Sequence, residues 1–327
     1  MMRAAWYEKN GPAAEVLKLG ELPTPEPGPG EVRVKLATSG VNPSDVKSRS
    51  SRPLNAPKIV PQSDGAGVID KVGAGVPPSR QGGRVWVWNG QWQRPFGTAA
   101  EFIALPAAQA VRLPPGTDFA AGACLGIPAL TAFQAVHLLG AVKGKTVLVI
   151  GAAAAVGHYA AQMAKRAGAR IIGTASAERM SHASEAGCAE VIDYKRRNVA
   201  EEVKKLTAGA GVDFIIDMDL STTAKLLSES ALKPHGTLVC YGSNDPGSIP
   251  LPFRPLLQNS YTLKFFIVYE LTPEDRQRAI AGITSMLEAD ALEHSIAKSF
   301  PLDDIAEAHR AVEGGKLIGN VVLAIGD

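Results

Sequence analysis

Cysteine is scarce and scattered in this chain, and its scarcity excludes two classes of protein at once. Cys124, Cys188 and Cys240 are odd in number, far apart, and show neither a C-x-x-C pair nor a Cys/His spacing. A disulfide framework and a zinc cluster are therefore not indicated, and a reducing compartment fits. Charge of one sign is missing too. With 34 basic against 32 acidic residues the formal net charge is +2, so no broad field favours nucleic acid or an anionic membrane. The longest apolar run, residues 146 to 157, is far below the ~20 residues that span a bilayer. The opening MMRAAWYEKNG has no apolar signal core, and the expectation is a cytoplasmic protein. A Walker-type phosphate loop is also lacking. Gly144, Lys145 and Thr146 spell its end, but its earlier glycine would fall at Leu139 and the triplet precedes its strand, which excludes a kinase or ATPase.

What is present is enough apolar residue, 46% of 327, for about two packed domains of roughly 150 residues each. The stretch from Thr146 to Gly168, TVLVIGAAAAVGHYAAQMAKRAG, organises the rest. Val147 to Ile150 read as a buried parallel strand. Gly151 to Gly157 form a small-residue turn, and a helix follows in which Ala161, Ala164 and Ala167 recur at close-packing spacing. A pyrophosphate fits such a helix start, where unpaired amides and the positive end of the dipole converge. Relative to G-x-G-x-x-G, Ala152 and Ala154 replace the first two glycines and only Gly157 remains.

From Arg3 to about Pro115 short strand-like runs are separated by Gly and Pro, as in an antiparallel β domain. After Asp118 strands and helices alternate: strand 146 to 150, helix 155 to 167, strand 170 to 174, helix 178 to 186, strand 190 to 193, helix 199 to 207, strand 212 to 217, helix 222 to 232 and strand 237 to 241. Repeated units of this length imply a doubly wound parallel sheet with the ligand at the strands' C-terminal ends. A further strand in YTLKFFIVY, helix 274 to 289, a strand near Ile296 to Phe300, helix 303 to 313 and a closing strand return the chain to the first domain. An acid at the end of the second strand marks NAD sites. Here Thr174, Ala175 and Ser176 stand there and Arg179 follows, so NADPH is expected, with Ser176 and Tyr194 as hydroxyl donors. Glu178 is close enough to oppose that preference, and an exposed helix-start arginine is the alternative reading of Arg179. The basic run Lys195 to Arg197 reads as a solvated face with one member in reach of a phosphate.

SGVNPSD, SDGAGVIDKVG, GIPALTAFQAV, VLVIGAAAAVG, GTAS, AEVIDY, VDFIIDM, GTLVCYGS and the closing GNVVL together resemble a zinc-free medium-chain dehydrogenase/reductase of the quinone oxidoreductase (zeta-crystallin-like) family, over essentially the whole chain. The resemblance implies an α/β protein with a GroES-like β-rich substrate domain, 1–118 and 268–327, and a Rossmann NADPH-binding domain, 119–267. It implies a homodimer and a small-molecule quinone or enone as substrate. Zinc-bearing relatives hold their metal at places that match Asn42, Ser63 with Asp64, and Gly126 here, so no metal is expected. Cofactor contacts implied by position are Ala153, Ala154, Ala155, Val156 and Gly157 for the pyrophosphate, and Ser176, Arg179 and Tyr194 for the adenosine end. Ser221, Tyr241, Gly242 and Ser243 follow along the strand ends, and Thr131, Phe265, Phe266, Ile267 and Asn320 lie toward the nicotinamide. Lys47 stands where many relatives have a tyrosine facing the cofactor, and Asn320 where a lysine is common.

Hydride transfer to a quinone or enone needs a donor for the oxygen that becomes negative. Asn42 is the candidate that orients the carbonyl, with a turn-stabilising role before Pro43 as its alternative. Beside a quinone reductase stand an enone or enoyl reductase and a non-catalytic NADPH-binding protein of crystallin or RNA-binding type.

Overall fold

Apolar runs of four to six residues, each closed by Gly or a polar turn, become the strands of a parallel sheet covered by helices. The computed structural model describes residues 1–245 and 247–326. The strands in chain order are β1 Met2–Trp6, β2 Lys18–Leu22, β3 Glu31–Val41, β4 Asp64–Val72, β5 Arg84–Val87, β6 Phe102–Pro106, β7 Ala110–Arg112 and β8 Thr146–Val149. They continue with β9 Arg170–Ala175, β10 Glu190–Asp193, β11 Val212–Asp217, β12 Leu232–Cys240, β13 Thr262–Phe265, β14 Ile296–Pro301 and β15 Asn320–Ala324. The chain divides into two compact units, Met1–Ile127 with the segment from Ile283 onward, and Pro128–Gly282.

In the second unit six strands run parallel in the order β10-β9-β8-β11-β12-β13. The order reverses between β8 and β11, which is the switch point where a doubly wound sheet opens a ligand crevice. Leu148, Ile172, Ile215 and Leu238 are fully buried within its core. In the first unit β14-β15-β3-β4-β5-β7 form one sheet, β6 pairs with the same long β3, and β1 pairs with β2. The antiparallel β unit and the doubly wound parallel sheet are those the sequence pattern implies, and they match the GroES-like and Rossmann pairing that the resemblance implies.

The units divide at 127/128 and 282/283, whereas the sequence reading places the bounds at 118/119 and 267/268. Residues 119–127 are held by the β-rich sheet: the Thr38 hydroxyl donates to the Phe119 carbonyl, and the Ile127 amide donates to Asp64. The helix expected at 222–232 is shorter. It spans Leu220–Thr223 and continues as a 3-10 turn to Leu227. Thr223 bonds back to the Asp219 carbonyl and to Asp217, and such side chains compete with helix amides. Two helices not anticipated from the pattern are Pro43–Ser51 and Phe253–Gln258, and the short helix Ala13–Val16 is a third. The first starts cleanly because Pro43 sits in its first turn and Asp45 accepts from the Asn42 amide.

Candidate active site

β8 delivers the chain to Gly151, whose φ of +69° turns it into the helix Ala155–Arg166. Gly157 lies in that helix's first turn. A Cβ there would stand 2.1 Å from the Gly151 carbonyl oxygen, so the helix leans on the turn as closely as only glycine permits. Ala154 occupies the N-cap with extended backbone, φ −85° and ψ 162°, and no side chain caps the first-turn amides. Ala153 is buried, and Ala154, Ala155 and Val156 are half-buried. The result is a short-side-chain cradle with amides aimed outward, which is what an anionic pyrophosphate requires.

Beside it a cavity of about 300 Å³ opens, lined among others by Gly151, Thr174, Tyr194, Arg197, Asp219 and Lys225. Tyr194 is 52% exposed. Ser176 is buried and starts the 3-10 turn Ala177–Arg179, with Arg179 half-buried. Glu178 is held by Ser176 and lies 3.6 Å from Lys195; the Ser176 hydrogen bond foremost keeps its pKa low. The end of β9 thus carries no free acid. Arg197 is the basic-run member that lines the cavity. Lys225 and Asp219 were missed, since neither sits in a recognisable motif. Burial pushes Asp219 up, but bonds from Asn244, Ser221 and Thr222 outweigh it and leave its pKa low.

The other cofactor candidates in this unit lie on its strand ends and helices. Ser221 donates to Asp219, Ser243 donates to the Asp245 carbonyl, and Gly242 accepts from the Leu220 amide. The Tyr241 hydroxyl is buried with no partner among the described residues, and burial, then Asp217, raises its pKa. Its ring is 6.3 Å from that of half-buried Phe266. Phe265 and Ile267 are exposed, and Thr131 is buried in the helix Leu130–Leu139. Asn42, Lys47 and Asn320 belong to the β-rich unit. Lys47 is exposed on the helix Pro43–Ser51, and the buried Asn320 amide donates to the Ser295 carbonyl at 3.0 Å.

Asn42 is the centre of a buried polar knot. Its Nδ2 donates to Asp64 Oδ2 at 2.9 Å, and its backbone amide donates to Asp45 Oδ2 at 2.8 Å. Asp64 also accepts from the Ile127 amide at 3.0 Å, while its Oδ1 has no partner among the described residues. Burial raises Asp64 well above the ordinary carboxylate range and lifts Asp45 to about 7. A native carboxyl with a raised pKa holds its proton longer than the unfolded one, so stability falls as pH rises between the two values. For Asp45 that window runs from about 4 to about 7. Urea midpoints are expected to drop across it, and Asp45→Asn, which keeps an acceptor for the Asn42 amide, is expected to reduce that slope; an unchanged slope overturns the assignment.

The same knot decides the metal question on donor chemistry. At the places that hold zinc in metal-bearing relatives stand an amide, a hydroxyl beside an engaged carboxylate, and Gly126, where a Cβ would meet Asp64 Oδ1 at 2.2 Å. Nearby Cys124 is buried, its thiol pKa driven up by burial and then Asp64, and its Sγ donates to the Ala120 carbonyl. Among the described residues no three His, Cys, Asp or Glu side chains are grouped to share an ion. Thiolate and imidazole ligands are what a catalytic Zn²⁺ needs, and these residues do not fit it.

Two family models match: the alcohol dehydrogenase GroES-like domain over residues 28–115 and the zinc-binding dehydrogenase model over residues 155–285. The chain is 32% identical to human quinone oxidoreductase across 99% of its own length and 98% of the relative's. It is 30% identical to a 2-haloacrylate reductase of a Burkholderia species, again over 99% and 98%. The structure of mycobacterial Rv1454c complexed with NADPH superposes with a TM-score of 0.84 at 28% identity, covering 99% of this chain and 100% of that one. No helix among the described residues is long and apolar enough to cross a membrane. With its two units, its switch-point cradle and full-length relatives at this identity, the chain belongs to the medium-chain dehydrogenase/reductase family, as an oxidoreductase of the quinone oxidoreductase group.

Proposed function

We propose that this protein is an NADPH-dependent quinone oxidoreductase that works without a metal. The observation that carries the reading is the uncapped helix start at Ala154, packed by Gly157 against Gly151, beside a cavity with Arg197 and Tyr194 and no free acid at the end of β9. The first-turn amides neutralise the pyrophosphate, and Arg197, with Arg179 and Ser176 at the end of β9, favours a 2′-phosphate. When bound, NADPH supplies a hydride to the acceptor. Hydroxyl groups at Tyr194 and Ser221 orient the coenzyme, while Ala153 to Val156 keep its approach free of side chains. In the β-rich unit, Asp64 and Asp45 hold the Asn42 amide in place, and this amide is the group proposed to orient the acceptor oxygen. The mycobacterial structure with NADPH and the human quinone oxidoreductase support this reading.

Reduction of α,β-unsaturated carbonyls is the second reading, favoured by the relative that is a 2-haloacrylate reductase. NADPH consumption is expected with 1,4-benzoquinone and faster than with a simple enone. The reverse order selects the second reading, and no turnover with either acceptor refutes both. The protein is further proposed to be a homodimer. β13 ends the sheet, and Phe253, Leu257, Phe265 and Ile267 are exposed beside that edge, which in a lone chain is a sticky strand face. Sedimentation equilibrium at the monomer mass would refute the dimer.

A further inference from the structure

A second cavity, of about 220 Å³, lies wholly within the β-rich unit. Its walls include Tyr7, Leu54, Ile59 and Trp92, and Arg52 and Asn55 stand at its polar side. The Arg52 guanidinium sits over the Trp92 ring, 5.6 Å from its centroid. Arg52 terminates the helix Pro43–Ser51, and Asn10 pins that end by donating from one amide nitrogen to the carbonyls of Ser48, Arg49 and Arg52. These bonds anchor the backbone from which the guanidinium reaches Trp92, and no carboxylate lies within ion-pair distance of the guanidinium among the described residues. In the same unit Arg33 pairs with Asp70 and Glu26 and Arg49 with Glu313, while Arg80, Arg84 and Arg94 spend their donors on backbone carbonyls.

The charged and titratable groups around Arg52 do not substitute for such a partner. Its field reaches Tyr7 and Asp45. Tyr7 is a phenol whose pKa burial lifts to about 12, and Asp45 is buried and committed to the Asn42 amide. Arg49, the other cation nearby, is fully buried and turned to Glu313. A guanidinium with no carboxylate partner, set over an aromatic face beside a cavity of mixed lining, recognises a planar anion bidentately. The volume is below the roughly 300 Å³ at which drug-sized pockets begin, so the ligand is about one ring or a short unsaturated chain.

We propose that this cavity is the acceptor's anion subsite: the substrate is a small, flat, unsaturated molecule carrying a carboxylate that pairs with Arg52 while its body lies against Trp92 and Ile59. This rests on the oxidoreductase reading above and narrows its acceptor class. Asn55 supplies a neutral donor at the same side, and the phenol of Tyr7 remains protonated at neutral pH.

The test has two independent arms. In the first, benzoate is titrated into cofactor-free protein by calorimetry. Saturable binding is expected, weakened at least tenfold in Arg52→Gln and less in Arg52→Lys, which keeps the charge but loses the planar fork. In the second, turnover is compared for 3-benzoylacrylate and its methyl ester. Arg52→Gln is expected to raise KM for the acid at least tenfold, leaving kcat and the ester's KM unchanged. Arg52 is exposed, so melting is expected to shift by no more than a few degrees, and a merely structural role would move both substrates together. Equal binding of benzoate by wild type and Arg52→Gln, or equal KM changes for acid and ester, overturns the subsite while leaving the reductase reading intact. Arg52-dependent benzoate binding without turnover of any acceptor upholds the subsite and refutes the reductase reading.

Discussion

Replacing Ala154 with Asp is expected to make the protein more stable and nearly unable to bind its coenzyme. Ala154 already has the extended backbone of an N-cap but offers no acceptor to the amides that follow. An Asp side chain there bonds the second or third amide of the helix and sets a negative charge at the positive end of the dipole. Together these are worth about 1 kcal/mol, or a rise of roughly 2–4 °C in melting temperature for a domain this large. The same carboxylate occupies the donors a pyrophosphate needs and repels it. NADPH affinity is expected to fall at least 100-fold, about 2.7 kcal/mol. Differential scanning calorimetry and a fluorescence titration with NADPH read the two signs separately, and Ala154→Ser, a neutral cap, should lose less affinity. Undiminished binding by Ala154→Asp means that this helix start is not where the anion rests.

The second large effect concerns which coenzyme is used. Ser176 follows β9 and is buried; of the acids beside it, Glu178 is occupied by Ser176 and Lys195, and Asp193, in register with Ala175, by the Lys195 amide. Ser176→Asp places a carboxylate where a ribose 2′-hydroxyl is bound in NAD-preferring sites and where a 2′-phosphate is repelled. kcat/KM with NADPH is expected to fall on the order of 100-fold, with NADH gaining several-fold. The ratio of the two, measured with one quinone, checks it. An unchanged ratio relocates the selectivity to Arg197 or Lys225, the two cations that line the same cavity.

Much of this was legible in the chain before any coordinates. Val147 to Val149, Gly157 and the run of small residues between them fix a strand, a close helix and a cradle by local sterics alone, since each depends on neighbours within a dozen positions. The bounds of β10 and β11 were legible for the same reason, because Gly or a polar turn closes each apolar run. The helix after Asp219 was misjudged because the bonds from Thr223 back to Asp217 and Asp219 decide its length, and a propensity sum does not contain them.

Sequence by itself determined the two-unit α/β plan and the small-residue turn between β8 and the helix Ala155–Arg166, because those follow from side-chain size and periodicity, and the family resemblance located the positions that lack thiolate and imidazole donors. Tertiary structure decided the rest. Only folding brings Asn42, Asp45 and Asp64 into one water-poor knot that raises two carboxyl pKa values. Only folding sets Arg52 over Trp92, forty positions away, with no carboxylate within ion-pair distance among the described residues. Desolvation and through-space charge act over ångströms, not over sequence separation, so no local pattern encodes them.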